Sequence, residues 1–221
     1  MQIGVLGTGM VGEAIATKLV QVGHQVKMGS RNANGESATK WAAKNGAAAS
    51  QGTFADAAKF GEIIFDCTNG ANSLAALRQA GASNLSRKIV VQVSNPLDFS
   101  KGTPPSLTVC NTDSLGEQAQ REFSETRVVK ALNTLNCEVM VKPSLVPGDH
   151  NLFICGNDAA AKREVSTRLG EWFGWKKQNI IDLGDITCAR GTEMFLALWL
   201  RLWSALGTPH FNIQVVSAAK K

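Results

Sequence analysis

The sequence predicts an α/β fold: a doubly wound, mostly parallel sheet covered by helices, followed by a short C-terminal helical segment. Two observations carry this. The chain opens with an apolar strand around Ile3, Val5 and Leu6. That strand runs into Gly7-x-Gly9-x-x-Gly12 and then into the amphipathic stretch Ala14-Ile15-Ala16-x-x-Leu19-Val20. Beyond it, short apolar runs alternate with amphipathic segments to about residue 184, as expected for strands buried between two helical layers.

Each glycine of the opening turn has its own task. Gly7 permits the tight turn, Gly9 lets backbone approach a pyrophosphate, and Gly12 lets the new helix pack on its strand. Thr8, Met10 and Val11 complete the loop at the helix N-terminus, where free N–H groups and the positive end of the dipole favour phosphate. This strand–turn–helix context predicts a Rossmann-type dinucleotide site. The second strand, Gln25 to Gly29, ends in Ser30-Arg31-Asn32. An acidic residue there would bind the ribose hydroxyls of NAD and repel a 2′-phosphate. A serine hydroxyl and an arginine fork bind that phosphate, so NADP(H) is the expected nucleotide.

The stretch between Ala33 and Asp56 is less patterned, with an Ala-rich helix around Trp41 and a short strand at Gly46–Ala49. Ile63 to Cys67 is a strand ending at Thr68-Asn69-Gly70, before a helix through Leu74 and Leu77. Lys88 to Val93 is the next, ending at Ser94-Asn95-Pro96. Arg127 to Leu132 follows, ending at Asn133-Thr134. Asn151 to Cys155 precedes Gly156-Asn157-Asp158, whose Asn or Asp caps a helix through Val165 and Leu169. Ile180 to Leu183 completes the sheet. Residues 1–184 are thus expected to form the NADP-binding unit and 185–221 a helical segment for packing, for walling the cleft and for dimerisation.

Composition narrows the partners. The 221 residues are 44% hydrophobic and 19% charged, and the net charge of +5 has no basic run behind it beyond Lys220-Lys221. Nucleic-acid binding is therefore not expected, and a modest positive field suits an anionic cofactor. The five cysteines are scattered and form no CxxC pair, which argues for reduced thiols, no zinc site and a cytoplasmic location. With the first strand beginning almost at Met1, no signal peptide is expected. The most apolar stretch, Met194 to Leu206, is too short to span a membrane and contains Arg201. From Glu193 to Trp203 it is apolar around most of a helix and is expected to be buried all round. Little chain remains to cover it, so a homodimer is expected, with Trp199 and Trp203 in the core or the interface.

Ligands of doubly wound sheets bind beyond the carboxyl ends of the strands. The loops there offer hydroxyls, amides and backbone, with no pair of carboxylates and no metal-ligand cluster. His24, His150 and His210 are isolated. No catalytic side chain is assigned. This inventory suits direct hydride transfer between a nicotinamide and a flavin-like ring, where the cofactors carry the chemistry and the protein aligns them.

The chain resembles the NADP-dependent F420 oxidoreductases and their relatives, including the cytosolic reductase domains of the STEAP metalloreductases. The resemblance covers most of the chain. It rests on the opening fingerprint, Gly29-Ser30-Arg31, Ser94-Asn95-Pro96-Leu97 and Val129-Lys130-Ala131-Leu132-Asn133-Thr134. Further matches are Phe153 to Asp158, Asp182 to Ile186, and Ala189-Arg190-Gly191-x-Glu193. It implies NADP(H) with its 2′-phosphate on Ser30 and Arg31, and a nicotinamide near Asn95 and the Ala131–Asn133 loop. It also implies a shallow cleft where F420 or a flavin stacks as the small-molecule redox substrate. A non-catalytic NADP(H)-binding redox sensor is the second reading.

Overall fold

The computed structural model describes residues 1–218; Lys220-Lys221 lie outside the described residues. The main sheet contains β1 (Gln2–Leu6), β2 (Gln25–Ser30), β3 (Ala49–Thr53), β4 (Ile63–Asp66), β5 (Ile89–Gln92), β8 (Arg127–Ala131), β9 (Leu152–Cys155) and β10 (Ile180–Asp182). β6 (Leu97–Asp98) and β7 (Ser106–Leu107) form a separate two-stranded ribbon. The main sheet runs β10-β9-β8-β5-β4-β1-β2-β3. β3 through β8 are parallel in this order, and β9 joins β8 antiparallel before β10 continues parallel to β9. The strand order reverses between β1 and β4, so the switch point lies beyond Leu6 and Asp66, which are in register.

The helices are α1 (Met10–Gln21), α2 (Glu36–Asn45), α3 (Phe54–Phe60), α4 (Gly70–Ala80), α5 (Ala82–Leu85), α6 (Leu115–Glu122), α7 (Cys137–Val141), α8 (Ala159–Phe173) and α9 (Ala189–Leu206). Strand alternation decides which layer each side chain feeds. Ile3, Val5, Phe65, Val91 and Val129 point to one layer, where they pack with Leu19 of α1, Met140 of α7 and Leu169 of α8. Leu6, Ile64 and Val90 point to the other, against Ala57 of α3, Leu77 of α4 and Ala119 of α6. Local caps set the helix starts. Thr53 and Asp56 form a reciprocal capping box on α3, and Asp158 Oδ1 accepts the Ala161 N–H at 2.8 Å.

Two expectations need correction. Residues Gly46–Ala48 form a 3-10 turn, and the neighbouring strand is β3, three residues further on. β3 is an edge strand whose Ser50, Gln51 and Thr53 are only half-buried, so it lacks the apolar run that marks an inner strand. The C-terminal helix is also not buried all round. α9 turns Thr192, Glu193, Leu196 and Trp199 inward but leaves Met194, Leu198, Trp203 and Leu206 between 40% and 55% exposed. The tail after α9 folds back on it: Phe211 stacks on Trp199 with ring centres 5.4 Å apart. The tail then meets the residue before β9, where the Asn151 N–H donates to the Ile213 carbonyl at 2.9 Å and Asn212 Nδ2 to the Asn151 carbonyl at 2.8 Å. No described helix is long and apolar enough to cross a membrane.

Candidate functional site

The fingerprint glycines differ in what surrounds them. Gly7 has φ +113°, and a Cβ there would sit 2.7 Å from the Cys67 carbonyl oxygen. A Cβ on Gly12 would overlap the Gly7 carbonyl, so α1 is packed against the turn. At Gly9 an added Cβ meets nothing within 4 Å. Gly9 caps α1 with extended backbone, and its carbonyl accepts the Glu13 N–H at 2.9 Å. The N–H groups of Met10, Val11 and Gly12 are therefore left without partners inside the helix.

A cleft of about 430 Å³ runs along this loop, lined by Gly7, Thr8, Gly9, Thr68 and Asn69, with Arg31 on its rim. Phe54 of α3, and Asn72, Ala76 and Gln79 of α4, close its other side. A second hollow of about 190 Å³ shares Cys67, Thr68 and Asn69 with the first. Val11, Ser94, Asn95 and Asn133 line it, and Leu196 and Trp199 of α9 form its far wall. A larger hollow of about 710 Å³ between α8 and the β10 edge is lined by none of the residues expected to bind the nucleotide. It lies away from the strand-order switch, so the two joined hollows are the candidate site.

Hydrogen bonds between the loops hold the shape. Asp66, fully buried at the end of β4, accepts the Thr68 hydroxyl on Oδ1 at 2.6 Å and the Ser73 hydroxyl on Oδ2 at 2.5 Å. The Ser94 hydroxyl donates to the Thr68 carbonyl at 2.7 Å, and the Asn69 side chain caps α4 by accepting the Ala71 N–H at 3.0 Å. A Cβ on Gly70 would overlap the Asn95 carbonyl, so this glycine lets α4 meet the β5 loop. Asn95 Nδ2 donates to the Asn133 carbonyl at 2.7 Å, and Asn133 Nδ2 donates to Asn95 Oδ1 at 2.9 Å. Leu132, at φ +65°, makes the sharp turn that delivers Asn133. Asn133 Oδ1 remains buried with no partner, as does Trp199 Nε1.

The loop after β2 holds Ser30 half-buried and Arg31 exposed. The Ser30 hydroxyl donates to the Asn32 carbonyl at 2.6 Å, which leaves its oxygen free to accept. Asn34 and Gln51 brace the loop, with Gln51 Nε2 donating to Asn34 Oδ1 at 2.6 Å. Among the described residues no carboxylate pairs with Arg31.

Of the remaining residues picked out in the sequence, Met10 is 81% exposed outside the hollows, and Gly12, Pro96 and Ala131 are buried behind the lining. The structure adds Phe54, Asn72 and Gln79 to the first hollow and Leu196 and Trp199 to the second. Trp199 belongs to the core, as expected, and to the site wall as well. The histidines lie elsewhere. His24 packs edge-on against Trp172, and burial lowers its pKa. His150 bonds the Pro143 carbonyl and Asn212, and His210 pairs with Glu138 at 2.7 Å. Among the described residues Cys67 is the one ionisable side chain lining the second hollow, and burial, then Asp66, push its thiol well up, so it is held protonated. Among the described residues no cluster of His, Cys, Asp and Glu is placed to hold a metal.

Comparison with known proteins bears on these residues. Residues 2–96 match the family described as NADP oxidoreductase, coenzyme F420-dependent. The crystal structure of a candidate F420-dependent NADP reductase from Arthrobacter sp. FB24 superposes with a TM-score of 0.92 at 49% identity, covering 98% of this chain and 100% of that one. The F420-dependent NADP reductase of Methanocaldococcus jannaschii is 28% identical over 148 residues, 66% of this chain and 64% of that protein. Metalloreductase STEAP3 of Rattus norvegicus is 29% identical over 205 residues, 91% of this chain and 38% of that protein. The chain thus spans less than two thirds of the length of both curated relatives. With the fingerprint, the sheet order and a full-length relative at 49% identity in agreement, the chain belongs to the coenzyme F420-dependent NADP oxidoreductase family.

Proposed function

We propose that the protein is an NADP(H)-dependent oxidoreductase that passes hydride between nicotinamide and a deazaflavin (F420) or flavin-type ring. The observation that carries this reading is a cleft along the Gly7–Gly12 loop that shares Cys67, Thr68 and Asn69 with a hollow lined by apolar side chains, hydroxyls and amides. Such a lining aligns two rings and excludes water, and it has no side chain poised to trade protons.

The residues fit the nucleotide. Gly9 leaves room for a pyrophosphate against the free N–H groups of α1. Arg31 offers a cationic fork for the 2′-phosphate, and the Ser30 hydroxyl donates to it by turning its proton away from the Asn32 carbonyl. The buried, unpartnered Asn133 Oδ1 suits the amide N–H of a nicotinamide carboxamide. When bound, NADPH supplies a hydride from C4 of its ring, and the acceptor ring gains that hydride and one proton from solvent. The sheet-end loops hold one ring, while Leu196 and Trp199 wall off the other side. In this division residues 1–184 bind the nucleotide and 185–221 complete the substrate side.

The exposed apolar face of α9, with Met194, Leu198, Trp203 and Leu206, supports a homodimer. Sedimentation should show a dimer that Leu198→Glu dissociates; a wild-type monomer at high micromolar concentration rules it out. The scattered reduced thiols support a cytoplasmic location. The decisive assay follows loss of the dihydronicotinamide absorbance with F420, FMN and FAD offered separately. Turnover with F420 or a flavin is expected. Tight NADPH binding with no turnover on any of them returns the reading to a redox sensor.

A further inference from the structure

β8 carries a lysine in the buried layer between the sheet and α9. The side chains of Lys130 and Glu193 are 0% and 1% exposed, and Lys130 Nζ lies 2.7 Å from Glu193 Oε1. Lys130 Nζ also donates to the Ser94 carbonyl at 2.6 Å and to Gln92 Oε1 at 3.2 Å. Glu193 in turn accepts the N–H groups of Leu115 at 2.9 Å and Gly116 at 3.0 Å, in the first turn of α6. One ion pair therefore ties β5, β8, α6 and α9 together. Burial of this kind is a weak source of stability, because desolvation offsets the attraction and apolar replacements often fold as well.

The position of the pair supplies a different use. The carbonyl that Lys130 holds belongs to Ser94, next to Asn95, and Lys130 itself lies three residues before Asn133. Glu193 is three residues before Leu196 and six before Trp199, on the same inner face of α9. Ser94, Asn95 and Asn133 form the floor of the second hollow and Leu196 and Trp199 its far wall. We propose that Lys130 and Glu193 are positioning residues whose ion pair sets the gap between that floor and that wall. Resting on the oxidoreductase reading, the pair then fixes the spacing of two stacked rings, where reacting atoms need about 3–3.5 Å and an error near 1 Å costs about a hundredfold in rate.

The test compares Glu193→Asp, which keeps the charge but shortens the reach, with the double variant Lys130→Met/Glu193→Gln, which removes both charges and leaves an acceptor for α6. In both, amide exchange over 196–203 should speed up by roughly tenfold or more while α1 is unchanged. Turnover with the best acceptor should fall by about tenfold or more, with the NADPH dissociation constant within about twofold of wild type. Folded variants with wild-type exchange in α9 would overturn the proposal, as would wild-type turnover, or NADPH affinity falling in step with turnover. If the wild-type protein reduces no acceptor, the oxidoreductase reading fails by itself, and the exchange measurement still decides whether the pair holds the wall.

Discussion

On the proposed nucleotide site, Gly9 should separate folding from binding more sharply than Gly7 or Gly12. Its backbone is at φ −81° and ψ −179°, a region every residue can adopt, and a Cβ would touch no protein atom within 4 Å. Gly9→Ala loses a little as a helix cap, about 0.5–1 kcal/mol. It regains about 0.4–1 kcal/mol by restricting the unfolded chain. Net stability should therefore stay within about 0.5 kcal/mol of wild type. The added methyl instead occupies the space left for the pyrophosphate, where overfilling costs about 1–3 kcal/mol. At about 1.4 kcal/mol per decade, NADPH affinity should fall roughly five- to a hundredfold, and further in Gly9→Val. Gly12→Ala is the contrast, because its methyl overlaps the Gly7 carbonyl and should destabilise the fold itself. Thermal melts and NADPH titrations on the three variants check this. A folded Gly9→Val with wild-type NADPH affinity would refute it, and so would a Gly9→Ala that melts as low as Gly12→Ala.

Arg31→Ala should weaken NADPH roughly ten- to a hundredfold, since a charge-assisted bond contributes about 1.5–3 kcal/mol, and leave NADH unchanged; equal losses would show that Arg31 does not read the 2′-phosphate. With an aromatic disulfide reagent, exposed Cys110 should label first. Cys67 and Cys155 should stay silent until unfolding, because burial raises both thiols, Cys155 to about 12; labelling of either in the native protein contradicts this. Burial lowers the His24 pKa from its ordinary 6.5, so the unfolded chain binds more protons there than the fold does. That share of stability is present above pH 6.5 and is lost as pH falls through the lowered value. Denaturant midpoints from pH 7 downward should therefore drop less in His24→Gln than in wild type, and identical slopes would remove His24 from the account.

Much of this site can be read before any fold is known because its parts are local. A turn that demands three glycines at fixed spacing announces itself, and so does a strand that ends in Ser-Arg where an acid would favour NAD. The inner strands β1, β4 and β5 are legible because burial on both faces leaves almost no polar residue in them. β3 is hard to place for the converse reason: an edge strand with Ser50, Gln51 and Thr53 half in solvent carries no apolar run. The short polar loops after β4, β5 and β8 stand out as ligand positions, yet their sequences do not say that Asn95 and Asn133, 38 residues apart, bond each other.

α9 shows where local reading stops. Its apolar residues go all the way round because the helix meets different surroundings on each side. Glu193, Leu196 and Trp199 face the sheet end and the hollow, Trp199 also meets Phe211 of the returning tail, and Met194 and Leu198 face outward. Periodicity averages those demands into a helix that looks buried everywhere. Only the fold distinguishes the face that lines the second hollow from the face left exposed. The same holds for Glu193, an acidic residue in an apolar helix that resembles a solubilising interruption. Its partners are 63 residues away at Lys130 and 77 and 78 residues away at Gly116 and Leu115. What makes it more than an interruption is that the helix it anchors also carries Leu196 and Trp199, the far wall of the second hollow.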